Sequence, residues 1–212
     1  MKSVAAALIL ALSLSHSFAQ MSINVPHKYD IGTISTDSLS KNPIGTGCLV
    51  GKNFVFTCEH VVDGFSTFYY LPYESKRSFR IAVRKTDTLH DLAVLICDDI
   101  ICNRYISISP SFDPKIGDSL FYIGYDTKID GLYVQLGRVQ EVGHEKSQSS
   151  QVDYFNFNGK IRHGYSGGPV FDRSGEIIGI IKAARFIGSD VSEYARAYSP
   201  IPLREFIATE TK

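Results

Sequence analysis

Twelve short runs rich in Val, Ile, Phe, Tyr and Thr follow one another along this chain, each bounded by Gly, Pro, Asn or Asp. Such runs read as short antiparallel strands and leave little sequence for helices. The first six cover residues 28–34, 47–50, 53–58, 66–71, 78–84 and 92–97. The second six cover 119–124, 132–142, 152–157, 168–171, 176–183 and 194–198. Between the sets, Ile108-Ser109-Pro110-Ser111-Phe112-Asp113-Pro114 reads as a linker. The pattern predicts an all-β protein of two six-stranded antiparallel β-barrels, spanning residues 20–110 and 111–212. Only residues 202–211 have helical character. Pro202 suits a first helical turn, and Leu203, Phe206 and Ile207 share one face, which predicts a short C-terminal helix.

The first residues are set apart from this pattern. Met1-Lys2-Ser3 is a short basic start, residues 4–14 are apolar, and Ser17-Phe18-Ala19 places small residues where a signal peptidase reads. Residues 1–19 are therefore expected to be a secretory signal peptide, and the mature protein to be exported, periplasmic or secreted. A start at Met21, which would keep the protein inside the cell, is the alternative. The 22 basic and 22 acidic residues balance. Loss of the signal takes away Lys2 and no acid, so the mature chain stays close to neutral. Nucleic acid is excluded as the main partner because it demands clustered basic surface. No apolar run of about 20 residues lies in the body of the chain, so no membrane insertion of the mature form is expected.

Four cysteines fit an oxidising compartment. Cys97 and Cys102 are spaced for a small disulfide loop. Cys48 and Cys58 look like a second pair, but a two-residue turn at Gly51-Lys52 would set Cys48 opposite Val55. Cys58 would then be roughly 10 Å away along the strand, beyond disulfide reach. Cys48, Cys58 and His60 match no standard metal-ligand spacing, so neither a metal nor a cofactor is expected.

Three places carry chemistry. In Gly164-Tyr165-Ser166-Gly167-Gly168-Pro169, glycines surround a serine and allow a sharp turn with converging N–H groups. A serine hydroxyl needs a base and stabilisation of the oxyanion it creates, and the amides of Gly164 and Ser166 are the natural donors. His60 closes the apolar run from Asn53 and is placed to act as the base. The other mature histidines, His27, His90, His144 and His163, lack its Thr-x-x-His-Val-Val setting. Asp91 opens the run Asp91-Leu92-Ala93-Val94-Leu95-Ile96 and offers a carboxylate to orient that base, with Asp87, Asp98 and Asp99 as competitors. The order His60, Asp91, Ser166 sets base and acid in the first barrel and nucleophile in the second, with the site in the cleft between them.

These residues carry a resemblance. The segment from Gly45-Thr46-Gly47-Cys48-Leu49-Val50 to Thr57-Cys58-Glu59-His60-Val61-Val62 resembles the histidine block of the trypsin-like, chymotrypsin-fold serine peptidases, most closely their bacterial Deg/Htr branch. Asp91-Leu92-Ala93-Val94-Leu95 is similar to the aspartate block, and residues 164–171 to the serine block. Residues 175–180 and 198–202 resemble the segments that follow, so the likeness runs from about 45 to 207. The resemblance implies a serine endopeptidase acting on protein or peptide substrates through an acyl-enzyme. Tyr165 departs from it, standing where digestive members have an aspartate that pairs with a newly cut N-terminus and where the Deg branch usually has Asn. That activation switch is not expected here, nor is the PDZ domain common in Deg proteins. By the same resemblance Lys160, Ile161, Arg162 and His163 would line the primary specificity pocket, and Ile181, Lys182 and Ala183 would form the strand that pairs with substrate. With basic groups and no acid in that region, a small aliphatic or acidic residue is expected before the scissile bond rather than Lys or Arg. The competing readings are a catalytically silent peptide-binding module and an esterase using the same triad. The oligomeric state is open, with a monomer slightly favoured.

Overall fold

The computed structural model describes residues 30–99, 101, 103–147, 150–184 and 192–210. The expected signal peptide, the Met21 start and Cys102 lie outside the described residues. Strands β1 (Ile31–Ser35), β2 (Pro43–Leu49), β3 (Phe54–Thr57), β4 (Phe68–Pro72), β5 (Phe79–Asp87) and β6 (Leu92–Ile96) close into one barrel in the order β1-β2-β3-β6-β5-β4. A one-turn helix α1 (Glu59–Val62) follows β3. Strands β7 (Ser119–Asp126), β8 (Gly131–Ser147), β9 (Ser150–Ile161), β10 (Pro169–Phe171), β11 (Ile177–Ala184) and β12 (Ser192–Tyr198) close a second barrel in the order β10-β11-β12-β9-β8-β7. Read from β7, this is the strand order of the first barrel repeated, and every ladder is antiparallel. Helix α2 (Ile201–Glu210) ends the described chain.

Aliphatic side chains fill the first barrel: Ile31, Leu49, Val55, Val94 and Leu95 are each fully buried. The second core is more aromatic, with Tyr122, Phe155, Phe157 and Tyr165 packed together. The first core continues across the barrel interface through Ile123, Phe171, Ile177 and Ile180. Leu203 and Ile207 of α2 join that cluster, and Phe206 lies under the Lys85 ammonium at 4.7 Å, so α2 packs back on β5 of the first barrel. The linker is pinned rather than loose: Ser109 N donates to Ile177 O and Ile177 N to Ser107 O, each at 2.9 Å.

Two local expectations change. The β2–β3 turn is longer than two residues: Leu49 pairs with Val55 and Cys48 with Phe56, one step from the expected register. The closing bond, Val50 N to Phe54 O at 3.0 Å, leaves Gly51-Lys52-Asn53 in the turn. Cys48, Cys58 and Cys97 are free thiols. In the second barrel, β8 and β9 run past the predicted 132–142 and 152–157 into a ribbon reaching Ser147 and Ser150. Polar contacts support its outer part, where Arg196 bonds Glu145 and stacks on Tyr154 at 3.8 Å. No helix among the described residues is long and apolar enough to cross a membrane.

Candidate active site

His60, the expected base, is set by the end of one strand and the start of another. After Thr57 the chain turns at Cys58 into α1, whose first amides have no partner within so short a helix. Asp91 supplies the partners: its carbonyl accepts from Glu59 N at 3.2 Å and its Oδ1 from His60 N at 2.9 Å. Its Oδ2 lies 2.7 Å from His60 Nδ1. An ionised carboxylate only accepts, so Nδ1 donates and Nε2 is left as an acceptor. The Asp91 side chain is 8% exposed and the His60 side chain 49%, so a buried acid orients an open ring. Asp91 has φ of +52°, a left-handed conformation that Asp tolerates better than most side chains. Asp87, one of the competing acids, shapes the turn that presents Asp91 by bonding His90 at N (3.1 Å) and Nδ1 (2.9 Å).

The loop that carries Ser166 is fixed from both barrels. Gly164 has φ of +97° and Gly167 of +85°, and a Cβ at Gly167 would collide with Thr46 O and Thr57 Oγ1. Thr46, fully buried on β2, donates its N–H to Ser166 O at 2.8 Å and its hydroxyl to Gly164 O at 2.7 Å. The same hydroxyl accepts from Tyr125 N at 2.8 Å. Tyr165 N turns back to Arg162 O, and Gly167 N donates to Ile181 O. Among the described residues neither the Gly164 nor the Ser166 amide donates to a protein acceptor. Gly45 on β2 separates Ser166 from the turn that carries His60: a Cβ there would sit 2.7 Å from Val61 Cγ1 of that turn and 3.1 Å from Ser166 O. Thr46 carries no chemistry of its own and was missed as a site residue. Its sequence signal was a hydroxyl between Gly45 and Gly47 on a buried strand.

A thiol stands behind the pair. Cys58 Sγ donates to Ile181 O at 3.1 Å, and burial, helped by the Asp91 charge, pushes its pKa well up. Donor atoms of Cys58, His60 and Asp91 lie within 4.8 Å of one another. The His60–Asp91 bond and the thiol–carbonyl bond already engage them, which fits a hydrogen-bonded cluster better than a metal cage.

The residues assigned to specificity separate. Ile161 is 2% exposed and belongs to the second core. Arg162 Nε pairs at 3.0 Å with Asp126, a buried acid that the sequence reading did not count. Lys182 lies over the Tyr198 ring at 4.6 Å, while Lys160 and His163 are exposed. Ile181 N and O are spent on Gly168 and Gly167, and Ala183 and Ala184 pair with β12. Among the described residues no ladder partner occupies the other edge of β11 beyond Ile181.

Two closed barrels with a His–Asp pair on one and a glycine-flanked serine on the other define the chymotrypsin-type class of fold. Residues 45–180 match the family described as "Trypsin-like peptidase domain", and the chain belongs to that family. It is 30% identical over 161 residues to the serine protease Do-like HtrA of Bacillus subtilis, covering 70% of this chain and 36% of that protein. It is 29% identical over 137 residues to a DegP-like serine endoprotease of Rhizobium meliloti, named as periplasmic, covering 64% of this chain and 27% of the relative. The chain thus spans between about a quarter and two fifths of the curated relatives it matches. The active form of the Rv3671c protease from M. tuberculosis superposes with TM-score 0.70 at 19% identity, covering 86% of this chain and 81% of the other, a likeness of fold.

Proposed function

We propose that this protein is an exported serine endopeptidase that cleaves peptide bonds through His60, Asp91 and Ser166. The observation that carries the reading is the double use of the Asp91 carboxylate, which fixes both the helix start and the Nδ1 of His60. With Nδ1 donating, Nε2 takes the proton as Ser166 Oγ attacks the substrate carbonyl, and later returns it to the leaving amine. The amides of Gly164 and Ser166 receive the oxyanion, and a water completes hydrolysis of the acyl-enzyme. A substrate strand would add to the outer edge of β11 at Lys182 and Ala183. Export rests on the basic-apolar-small pattern of residues 1–19 and on a relative named as periplasmic.

Cleavage of an unfolded protein substrate by wild type and by Ser166→Ala tests the assignment. The variant is expected to lose on the order of 10⁶ in kcat, with residual turnover from binding and the oxyanion site. Equal rates would contradict it, and a wild type that binds peptide without cutting would make the chain a binding module.

A further inference from the structure

Tyr165 sits between the two amides flanking the serine, yet its side chain is 1% exposed and turned into the second barrel. Its ring occupies the space above Gly124, where any Cβ would overlap it, and lies 6.2 Å from the Tyr122 ring. Its hydroxyl accepts from Gln135 Nε2 at 2.9 Å. Gln135 Oε1 in turn accepts from the Tyr122 hydroxyl at 3.1 Å. That hydroxyl also lies 3.4 Å from the carbonyl of Lys160, at the far end of the same loop, and Gly159 leaves the room it needs. One amide on β8 therefore joins both ends of the segment from Lys160 to Ser166. Its donor and acceptor ends are both used, as a satisfied buried network requires.

We propose that Tyr165, Gln135 and Tyr122 are positioning residues that form an internal brace, holding the Gly164 and Ser166 amides ready for an oxyanion without a bound ligand or a charged partner. The proposal rests on the reading of Ser166 as the nucleophile. The Tyr165 ring is attached to the residue between the two amides. Seating the ring fixes the Tyr165 Cα from which the Ser166 peptide hangs, and so limits the backbone rotations by which the loop could turn its amides away. Stabilisation of developing charge depends on donors being placed before the charge appears, so a fixed loop raises kcat more than it improves substrate binding. All three members stay uncharged below the range in which the tyrosines ionise, and burial pushes that range up, so the brace is expected to hold the loop alike through acid and neutral pH.

The test compares wild type, Tyr165→Phe, Gln135→Leu and the double variant, with Tyr122→Phe replacing the Leu variant if that one does not fold. Tyr165→Phe removes one half-buried hydrogen bond and Gln135→Leu that bond and its link to Tyr122; each is expected to lower kcat about tenfold or somewhat more with little change in KM. The double variant is expected to be no worse than the weaker single one, because both break the same link. Hydrogen exchange of the amides at 164–168 supplies a second readout independent of turnover, expected to quicken about tenfold in each variant. Unchanged kcat and exchange in both single variants, losses that multiply in the double, or an effect on KM alone would overturn the brace. If wild type cuts no peptide, exchange alone decides: quicker exchange keeps the brace while the peptidase reading fails.

Discussion

The two barrels share a strand order but set their halves of the site in different ways. In the first, one carboxylate places the base, bonding a helix amide and a ring nitrogen from a buried turn. In the second, the serine loop is held at several points: Thr46 clamps its carbonyls from the first barrel, the buried Tyr165 anchors it from within, and Arg162 ties it to Asp126. The His60 half thus depends on a single carboxylate, while the Ser166 half distributes its placement over backbone bonds, hydroxyl bonds and one ion pair. Failure should therefore be abrupt on one side and graded on the other.

The sharpest test of that contrast is at the base. His60→Ala should cost about as much as loss of the serine, on the order of 10⁶ in kcat, since the members act as a unit. Asp91→Asn should lower kcat about 10⁴-fold, because an amide at Oδ2 favours the wrong ring tautomer. Steady-state kinetics of each variant check both figures. On the graded side, Thr46→Val removes the donor to Gly164 O and the acceptor for Tyr125 N. It should lower stability by about 2–3 kcal/mol and kcat about tenfold, read by denaturant unfolding and steady-state kinetics. Thr46→Ser, which keeps the hydroxyl, should restore most of both. Equal damage from Thr46→Val and Asp91→Asn would erase the distinction.

The smallest effect lies at high pH. Burial pushes the Tyr165 hydroxyl up to about 12, against about 10 in an unfolded chain. The fold then favours the neutral form, so this contribution is whole below pH 10 and declines as pH rises toward 12. Thermal unfolding across that window should fall less steeply in Tyr165→Phe than in wild type. Parallel slopes would remove Tyr165 from the loop's support.

Much of this was legible in the sequence, because strands packed on one face announce themselves. Runs such as Phe54–Thr57 and Leu92–Ile96 are apolar where both sides are covered, and each became a strand within a residue or two. The His60–Asp91 pairing was legible because each residue sits at the end of such a run. The outer β8–β9 ribbon was not, since Glu141, Glu145, Lys146 and Gln151 carry no alternating apolar pattern, and Glu145 is held instead by Arg196 and the Tyr198 hydroxyl. Helix α1 escaped because four residues show no period and their start is capped by a distant acid. Thr46 and Gln135 escaped for a related reason: their importance comes from partners on other strands. The excess of positive charge beside the serine, read from Lys160, Arg162, His163 and Lys182, shrinks once Arg162 meets Asp126 and Lys182 covers Tyr198.

The central claim is that Ser166 is activated by His60 under the control of Asp91. A fluorophosphonate reacts with a serine only when the hydroxyl is activated and the oxyanion is received. Incubated with the intact protein and mapped by mass spectrometry, the probe should modify Ser166 alone. Asp91→Asn should slow that labelling by about 10⁴. No modification of Ser166, or modification at the same rate in Asp91→Asn, would contradict the account.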